Sequence, residues 1–314
     1  MFVRYLILAM AAVAAFAQQP AKKWTAPRTP DGKPDLQGVW THVTITPLER
    51  PAEFANKPFF TKAEAEQFEK ETVARNNSDH RDANPEADVA RAYNDVWYGR
   101  GTKVVPTLRT SLIIDPPDGR IPALTPAAQQ RLDKIQALRQ RRPEGPEDRS
   151  LSERCILNGI TGPPMMPGPY NNNYQIVQSP GYVTIVVEMI HDVRVIPTDG
   201  SAHLPPAVRQ WRGDSRGHWE GDTLVVDTTN FTDQTVFRGA SREMHLIEKF
   251  TRTAPDQIMY EFTVDDPASF ARPWTAQLPM SPGEGPILEY ACNEGNYAMD
   301  GMLRGARLDE QKKK

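Results

Sequence analysis

The chain has 314 residues, with 37 basic and 40 acidic side chains and a formal net charge of −3. This balance does not provide the basic surface that nucleic-acid binding requires, so we expect no nucleic-acid partner. The length allows one large domain or two. The 29 prolines outnumber the 20 glycines, which indicates long connecting segments between the regular elements.

The first 17 residues have the pattern of a secretory signal peptide. Arg4 precedes an apolar run, residues 5–16, and a small-x-small sequence ends at Ala17. We therefore expect cleavage after Ala17 and export to the periplasm or the cell exterior. Residues 18–35 are polar and rich in proline, which predicts an extended N-terminal arm. No later apolar run is long enough for a membrane-spanning helix, so we expect no membrane span.

Two N-cap signals within residues 36–150 predict helices. Thr61 precedes KAEAEQFEKETVARN, a run of good helix formers. Thr125 is followed by a proline, which is favoured at the first helical position, and this helix should run to about Arg141. We expect residues 36–150, a strand and helix region that includes both helices, to pack on the outside of a barrel formed by later residues.

Residues 151–307 alternate short extended runs with turn signals, a pattern that predicts an antiparallel β-meander. A meander of this length must close or be covered, because exposed strand edges invite aggregation. The expected fold class is mainly β with some α content: a lipocalin-like barrel or a strongly curved sheet, with the two helices outside. Residues 38–40 read Gly-Val-Trp and resemble the G-x-W of a lipocalin first strand. Residues 308–314 are charged, which predicts a disordered tail.

The segment RGHWEGDTLVVDTTNF, residues 216–231, combines turn residues with groups capable of acid–base chemistry. The Gly-Asp pair at 221–222 favours a tight turn, and the β-branched run after it favours a strand. We interpret the segment as a β-hairpin. This places three side chains near the rim of the barrel: His218, Trp219 and Glu220.

The chain has two cysteines, Cys155 and Cys292. In an exported protein an even number of cysteines favours a disulfide, and this one would join positions 137 residues apart. Two buried free thiols are the alternative. A disulfide would tie together the two loops that carry these residues.

Residues 182–196 supply the main catalytic candidates. If this segment is one strand, alternation places Glu188, Asp192 and Arg194 on one face, with neighbours on that face about 7 Å apart. Carboxylates beside an arginine can bind a polar ligand or divide acid and base roles, although a solvated face with ion pairs would look the same. His191 would lie on the opposite, apolar face, where a structural histidine is the alternative to a catalytic one.

Further carboxylates stand between apolar residues in predicted strands: Asp227, Glu248 and Glu289. A carboxylate that faces a core must be paired or hydrogen-bonded. Several of them on successive strands predict either a polar barrel interior or an arginine network that spans the sheet.

Two loops, residues 162–175 and 290–301, concentrate tyrosine and asparagine. These side chains offer stacking and neutral hydrogen bonds, as sites for sugars or phenolic compounds do, although asparagine also serves turn geometry alone. Together with a tryptophan from the hairpin, the candidate ligand-binding residues are Tyr170, Asn172, Asn173, Tyr174, Trp219, Asn293, Glu294 and Tyr297.

The six histidines show no spacing typical of a metal site. The chain also lacks the sequence motifs of serine hydrolases, of P-loop proteins and of nicotinamide-binding proteins. The sequence therefore predicts neither a metal site nor a cofactor.

Five segments resemble a family of exported, uncharacterised proteins common in soil bacteria: YNNNYQIVQ, EMIHDVRVI, GDSRGHWEGDTLVVDTTNF, RPWTAQLPM and YACNEGNY. The resemblance covers nearly the whole mature chain and implies export, but it assigns no activity and no catalytic residue. The chain departs from the family pattern at Asn293, where many members have histidine. If that histidine is catalytic, this member is altered or inactive.

The leading functional hypothesis is a secreted small-molecule binding protein whose barrel pocket holds a sugar or a phenolic or apolar ligand. The alternative is an exported hydrolase or lyase that acts on a carbohydrate or phenolic substrate through paired carboxylates. A third possibility is an envelope interaction module that uses its proline-rich loops. A deep pocket would favour the first two hypotheses over the third.

Overall fold

A computed structural model describes residues 24–79, 83–90, 95–234 and 237–312. The predicted signal peptide and the start of the predicted N-terminal arm lie outside these residues. The described residues contain four α-helices: α1 (Lys62–Asn76), α2 (Pro85–Ala90), α3 (Pro126–Gln140) and α4 (Tyr297–Gln311). They also contain ten strands: β1 (Gly38–Thr41), β2 (Ile113–Asp115), β3 (Asn173–Ser179), β4 (Tyr182–Val187), β5 (Asp192–Pro197), β6 (Asp214–Glu220), β7 (Thr223–Thr229), β8 (His245–Ala254), β9 (Gln257–Asp265) and β10 (Trp274–Pro282).

The strands form one antiparallel sheet that curves into a nearly closed barrel. Their order is β5-β4-β3-β1-β10-β9-β8-β7-β6, and β2 pairs with β10 beside this path. Strands β3–β5 and β6–β10 are two meanders, and β1 from the N-terminal region joins them. The end strands β5 and β6 lie side by side at a seam. The mainly β barrel expected from the sequence is confirmed, although β1 is part of the barrel and does not merely pack on it.

Both helices predicted from their N-cap signals are confirmed. Thr61 and Glu64 form a reciprocal capping box at the start of α1. At the start of α3 the Thr125 hydroxyl accepts a hydrogen bond from the Ala128 amide at 3.1 Å. Helix α1 packs on a small apolar cluster of its own, which includes Phe60, and this cluster is separate from the barrel core.

The C-terminal region differs from the prediction. Helix α4 extends to Gln311, so residues 308–311 of the predicted disordered tail are helical. Asn296 caps this helix by accepting a hydrogen bond from the Met299 amide at 3.3 Å. Two glycines inside α4 lower its intrinsic helix propensity, which explains why the sequence did not indicate a helix there.

Residues 182–196, predicted as one strand, form a hairpin of β4 and β5. Ile190 and His191 have positive φ angles of 61° and 39°, which interrupt the extended run. The interruption shifts the alternation of side chains, so β4 buries Val183 whereas β5 exposes Val193. The prediction of one continuous apolar face was therefore wrong, because it assumed an unbroken strand.

Side chains fill the middle of the barrel, where the sequence hypothesis placed a ligand pocket. Aromatic rings from β8, β9 and β10 pack against one another, with neighbouring ring centroids 4.9–5.8 Å apart. These rings are fully buried and belong to Phe250, Tyr260, Phe262 and Trp274. The core is thus dense, as close packing requires.

The predicted disulfide between Cys155 and Cys292 is confirmed, with Cα atoms 5.7 Å apart. It joins the segment before β3 to the segment before α4. A hydrogen bond of 2.8 Å from the Asn296 side chain to the Glu153 carbonyl supports the same junction. Among the described residues, no helix combines the length and apolar composition needed to cross a bilayer.

Candidate functional site

A buried ion pair crosses the interior of the barrel. Arg194 of β5 donates two hydrogen bonds to Glu248 of β8, one from Nη1 to Oε1 at 3.0 Å and one from Nη2 to Oε2. The two side chains are 7% and 0% exposed. The expectation that a core-facing carboxylate is paired with an arginine is confirmed for Glu248.

Three hydroxyl groups complete the hydrogen bonding of this ion pair. Arg194 donates from Nε to Ser215 Oγ at 3.1 Å and from Nη2 to Thr228 Oγ1 at 2.9 Å. The Tyr260 hydroxyl donates to Glu248 Oε1 at 2.7 Å. Burial, reinforced by the nearby carboxylate, raises the pKa of Tyr260 well above its ordinary value, so this hydroxyl remains a donor. Each nitrogen of the guanidinium and each oxygen of the carboxylate thus has a partner within the protein, which suits a structural role.

The barrel seam depends on a glycine in the hairpin segment analysed above. A Cβ atom on Gly217 of β6 would lie 3.0 Å from methyl carbons of Ile196 and Thr198, on the far side of the seam. The two end strands, β5 and β6, are not hydrogen-bonded to each other in the sheet. Side-chain packing therefore closes the seam at this level, and the absence of a side chain at 217 permits it.

A polar cavity of about 610 Å³ opens where β5 and β6 begin, and we call it the seam cavity. Its walls come from the two strands, from the loop that leads into β6 and from the segment after Cys155. The residues that line it are Ile156, Leu157, Asp192, Val193, Arg194, Val195, Arg209, Gln210, Trp211, Arg212, Gly213, Asp214, Ser215 and Thr232.

Arg212 and Asp192 form an ion pair in the wall of the seam cavity. The Arg212 guanidinium also donates to the Gly162 carbonyl and to Thr161 Oγ1, the latter at 2.9 Å. Burial lowers the pKa of Arg212 to about 10, which still leaves it charged at neutral pH. The pair is therefore held firmly, with its carboxylate partly exposed to the cavity.

The remaining charged groups of the seam cavity are also paired. Asp214 accepts a hydrogen bond from Arg216 at 2.6 Å, and Arg209 pairs with Glu243 at 2.8 Å. Trp211 lies in the same loop as the two lining arginines and is 41% exposed. The cavity thus combines compensated charges with an accessible aromatic ring.

The structure separates the four predicted catalytic residues. Asp192 and Arg194 line the seam cavity. Glu188 is buried at the corner of the β4–β5 hairpin, where it accepts hydrogen bonds from the amides of Asn173 and Leu288 at 3.4 and 3.1 Å. His191 is exposed, with Nδ1 3.2 Å from a backbone carbonyl, so its expected place on an apolar core face was wrong. The positive φ at residues 190 and 191 accounts for both displacements.

The asparagines of the first loop hold the backbone in place. Asn172 is buried, accepts from the Gly168 amide at 2.7 Å and donates to the Gly99 carbonyl at 2.9 Å. Asn173 donates to the Glu284 carbonyl at 3.3 Å. These contacts use the polar groups that a ligand would need.

The two tyrosines of the same loop also contact protein side chains. Tyr170 stacks on Tyr290, with ring centroids 6.3 Å apart. Tyr174 is buried in the core against His42, with ring centroids 4.9 Å apart. Burial lowers the pKa of His42 to about 3, so this histidine is a neutral part of the core.

The other predicted ligand residues lie elsewhere on the surface. Trp219 is half-buried and packs against the barrel core. Asn293, Glu294 and Tyr297 are exposed near the disulfide, and Tyr297 is 83% exposed. None of the eight predicted ligand residues lines the seam cavity.

A chain of carboxylates and imidazoles, which the sequence did not indicate, runs from the seam cavity across the outside of the barrel. His203 places Nδ1 3.0 Å from Asp214 and Nε2 3.1 Å from Asp227. His245 places Nε2 2.8 Å from the other oxygen of Asp227. The two histidines are far apart in sequence and show no motif. Asp227 was expected to face a core, but it is 35% exposed and binds the two histidines, so the sequence did not suggest this chain.

Among the described residues, no group of three or more His, Cys, Asp or Glu side chains is arranged to hold a metal ion. Comparison with family models, with curated proteins and with solved structures found no match to this chain. The resemblance to exported soil-bacterial proteins therefore stays a prediction, and the site must be interpreted from its own geometry.

Proposed function

We propose that this protein binds a small polyhydroxylated molecule, a sugar or a sugar-like polyol, in the seam cavity. The observation that carries the proposal is the combination of the accessible Trp211 ring with paired arginines and aspartates in one cavity of about 610 Å³. Cavities of roughly 300–1,000 Å³ are usual for small-molecule sites. The ligand is placed at the seam and not in the barrel interior, because core side chains occupy the interior.

The pairing of charges favours a neutral ligand over an ion. An anion would compete with Asp192 for Arg212, and a cation would compete with Arg216 for Asp214. A hydroxyl group can donate to a carboxylate and accept from a guanidinium, so a polyol uses both members of a pair without separating them. Trp211 offers a flat apolar surface on which a sugar ring can pack.

Binding fits the cavity better than hydrolysis, the alternative from another functional class. Glycoside hydrolysis requires a carboxyl group that holds a proton and donates it to the leaving group. Both aspartates of the seam cavity, Asp192 and Asp214, have an arginine partner, an arrangement in which a carboxylate serves as an acceptor. We therefore propose a binding protein and not a hydrolase.

We also propose that the protein is exported. The Cys155–Cys292 disulfide supports export, because such bonds persist mainly in oxidising compartments. Expression of the full chain in a Gram-negative host and N-terminal sequencing of the periplasmic product test the proposal. A mature protein that begins at Gln18 is expected, and an unprocessed cytoplasmic product would contradict it.

The binding proposal is tested by a melting assay of the mature protein with a panel of sugars: glucose, galactose, cellobiose, maltose and myo-inositol. At a concentration of about 100 times its Kd, a true ligand should stabilise the protein by about 2.7 kcal/mol. Titration calorimetry then measures the affinity of each compound that raises the melting temperature.

Trp211→Ala and Asp192→Asn should each weaken binding of the sugar by about tenfold or more, since each removes a proposed ligand contact. Trp97→Ala is the matched control, because Trp97 is also exposed and does not line the seam cavity. A panel without any binder, or an affinity that survives both cavity substitutions, would overturn the proposal.

A further inference from the structure

A second cavity, of about 920 Å³, lies beneath helix α3, and we call it the α3 cavity. It adjoins the seam cavity, since Trp211 and Leu157 line both. Its other walls come from α3, from residues 147–163 and from the segment that follows β7. The two cavities differ in chemistry, because the surface of the α3 cavity is mainly apolar whereas the surface of the seam cavity is mainly polar.

Helix α3 directs its apolar residues at this cavity instead of packing them fully. Leu132, Ile135 and Leu138 all line the cavity, and Leu138 is 43% exposed. Ala128 is the one residue of α3 that is fully buried. Apolar side chains spaced three residues apart on a helix normally pack against a core, so these three leave apolar surface that a ligand could cover.

Aromatic rings form another part of the wall of the α3 cavity. Phe231 and Phe237 line it together with Trp211. A lining that combines flat rings with branched aliphatic side chains suits an aromatic ring or an alkyl chain. The cavity therefore favours a ligand with an apolar body.

The α3 cavity also carries guanidinium groups that the protein does not neutralise. Arg139, Arg154 and Arg238 line it, and within the part of the chain that the structure describes none of these three side chains has an ion-pair partner. Arg149, a fourth lining arginine, pairs with Glu153.

The acidic residues of the lining offset this charge only in part. Asp148 pairs with Arg141, and Asp233 pairs with Arg242. Glu49 accepts a hydrogen bond from a backbone amide at 3.0 Å. Glu147 is the remaining lining carboxylate and is exposed. Among the described residues neither Glu49 nor Glu147 has an ion-pair partner, so three unpaired guanidinium groups face two unpaired carboxylates, which leaves an excess of one positive charge around the cavity.

We propose that the α3 cavity binds an amphiphilic organic acid, whose apolar body lies between α3 and the aromatic wall and whose carboxylate meets the unpaired arginines. Guanidinium groups bind carboxylates through charge-assisted, often bidentate hydrogen bonds. The two cavities differ in the pairing of their arginines. Every arginine that lines the seam cavity has an acidic partner, whereas three arginines that line the α3 cavity have none in the described structure.

The test uses titration calorimetry of the mature protein with two acids, 4-hydroxycinnamate and octanoate. Methyl 4-hydroxycinnamate and 1-octanol are the matched neutral probes, since they keep the apolar body and lose the charge. We expect both acids to bind at least about tenfold more tightly than their neutral counterparts, given the usual strength of a hydrogen bond between charged groups.

Arg139→Gln and Arg154→Gln should each weaken binding of the acids by about tenfold and leave the neutral probes unaffected. Neither arginine has a partner in the described structure, so neither substitution should unfold the protein. Lys134→Gln is the control, because it removes one charge from the exposed side of the same helix and does not line the cavity. The proposal would be overturned by equal affinity for the acids and the neutral probes, or by the absence of any binding. It would also be overturned if the arginine variants bound the acids as tightly as the Lys134→Gln control does.

The same variants separate this inference from the proposed sugar site. Arg139→Gln and Arg154→Gln lie outside the seam cavity and should leave any sugar affinity unchanged. Trp211→Ala should weaken both kinds of ligand, because the ring lines both cavities. Failure of the sugar panel with retained acid binding would remove the first proposal alone, and the converse would remove the second alone.

Discussion

Arg194 and Glu248, 54 positions apart in sequence, form a two-pronged ion pair inside the barrel. Burial of two charges is costly, and the attraction between them offsets that cost only if the other polar groups are also satisfied. Here hydroxyl groups of β6, β7 and β9 complete the hydrogen bonds. The pair joins β5, at one end of the strand order, to β8, close to the other end.

The first prediction is that Arg194→Ala lowers the free energy of unfolding by about 3–5 kcal/mol, as expected when a buried charge loses its partner. Glu248 would remain fully buried with Tyr260 as its hydrogen-bond donor. Urea unfolding of the purified variants measures the loss. Arg304→Ala is the control, since its ion pair with Asp300 is exposed and should contribute about 0–1 kcal/mol. Equal effects of the two substitutions would show that the Arg194 pair is solvated.

This pair also shows what the sequence could and could not indicate. The apolar neighbours of Glu248 predicted that the carboxylate needs a partner. The partner could not be identified from the sequence. Side-chain alternation was applied to residues 182–196 as one strand, which ignores the turn at Ile190 and His191. Two non-glycine residues with positive φ are uncommon and carry no reliable sequence signal.

Local signals predicted local structure well, and long-range packing was harder to predict. The caps at Thr61 and Thr125 and the turn at Gly221, whose φ is +59°, depend on neighbouring residues and were predicted correctly. The seam cavity depends on barrel closure, which brings residues 192–195 next to residues 209–215. Turn chemistry and alternation specify neither that closure nor the order of strands, and β1 joins the sheet from the other end of the chain.

The second prediction concerns the disulfide. Replacing Cys155 and Cys292 with serine should lower the free energy of unfolding by about 5 kcal/mol, because the bond closes a loop of 137 residues in the unfolded chain. Urea unfolding of the double variant beside the oxidised protein measures this loss. Proteolytic peptide mapping without reductant should find the two cysteine peptides linked. A double variant as stable as the oxidised protein would contradict the chain-entropy account.

The third prediction is a pH dependence at the outer face of β7 and β8. The hydrogen bond from His245 to Asp227, aided by the charges of Asp227 and Asp265, raises the pKa of His245 above its ordinary value of 6.5. Burial alone would raise the pKa of Asp227, but the hydrogen bonds and charges of His245 and His203 outweigh burial and lower it below 3.8.

The signs of these two shifts define a pH window. The contribution of His245 to the free energy of unfolding is fully present below pH 6.5 and is lost as pH rises through the raised pKa of this histidine. The contribution of Asp227 to the free energy of unfolding is present above pH 3.8 and is lost as pH falls through the lowered pKa of this aspartate. The free energy of unfolding of the wild type should therefore exceed that of His245→Gln most between pH 3.8 and pH 6.5. A difference that grows above pH 8 would contradict the assignment.

The fourth prediction tests how the barrel closes. Gly217→Val should lower the free energy of unfolding by about 1–3 kcal/mol, since its Cβ would lie 3.0 Å from carbons of Ile196 and Thr198 and overpack the seam. Valine favours strands, so any loss must come from this crowding and not from β propensity. Hydrogen exchange should also become faster in β5 and β6, and not in β8 or β9, because the clash acts only at the seam.

Gly301→Ala in α4 is the control: its new Cβ meets nothing within 4 Å, and alanine should stabilise the helix by about 1 kcal/mol. If Gly217→Val were neutral and exchange in β5 unchanged, the two end strands would not pack as closely as the structure indicates, and the cavity between them would have to be larger.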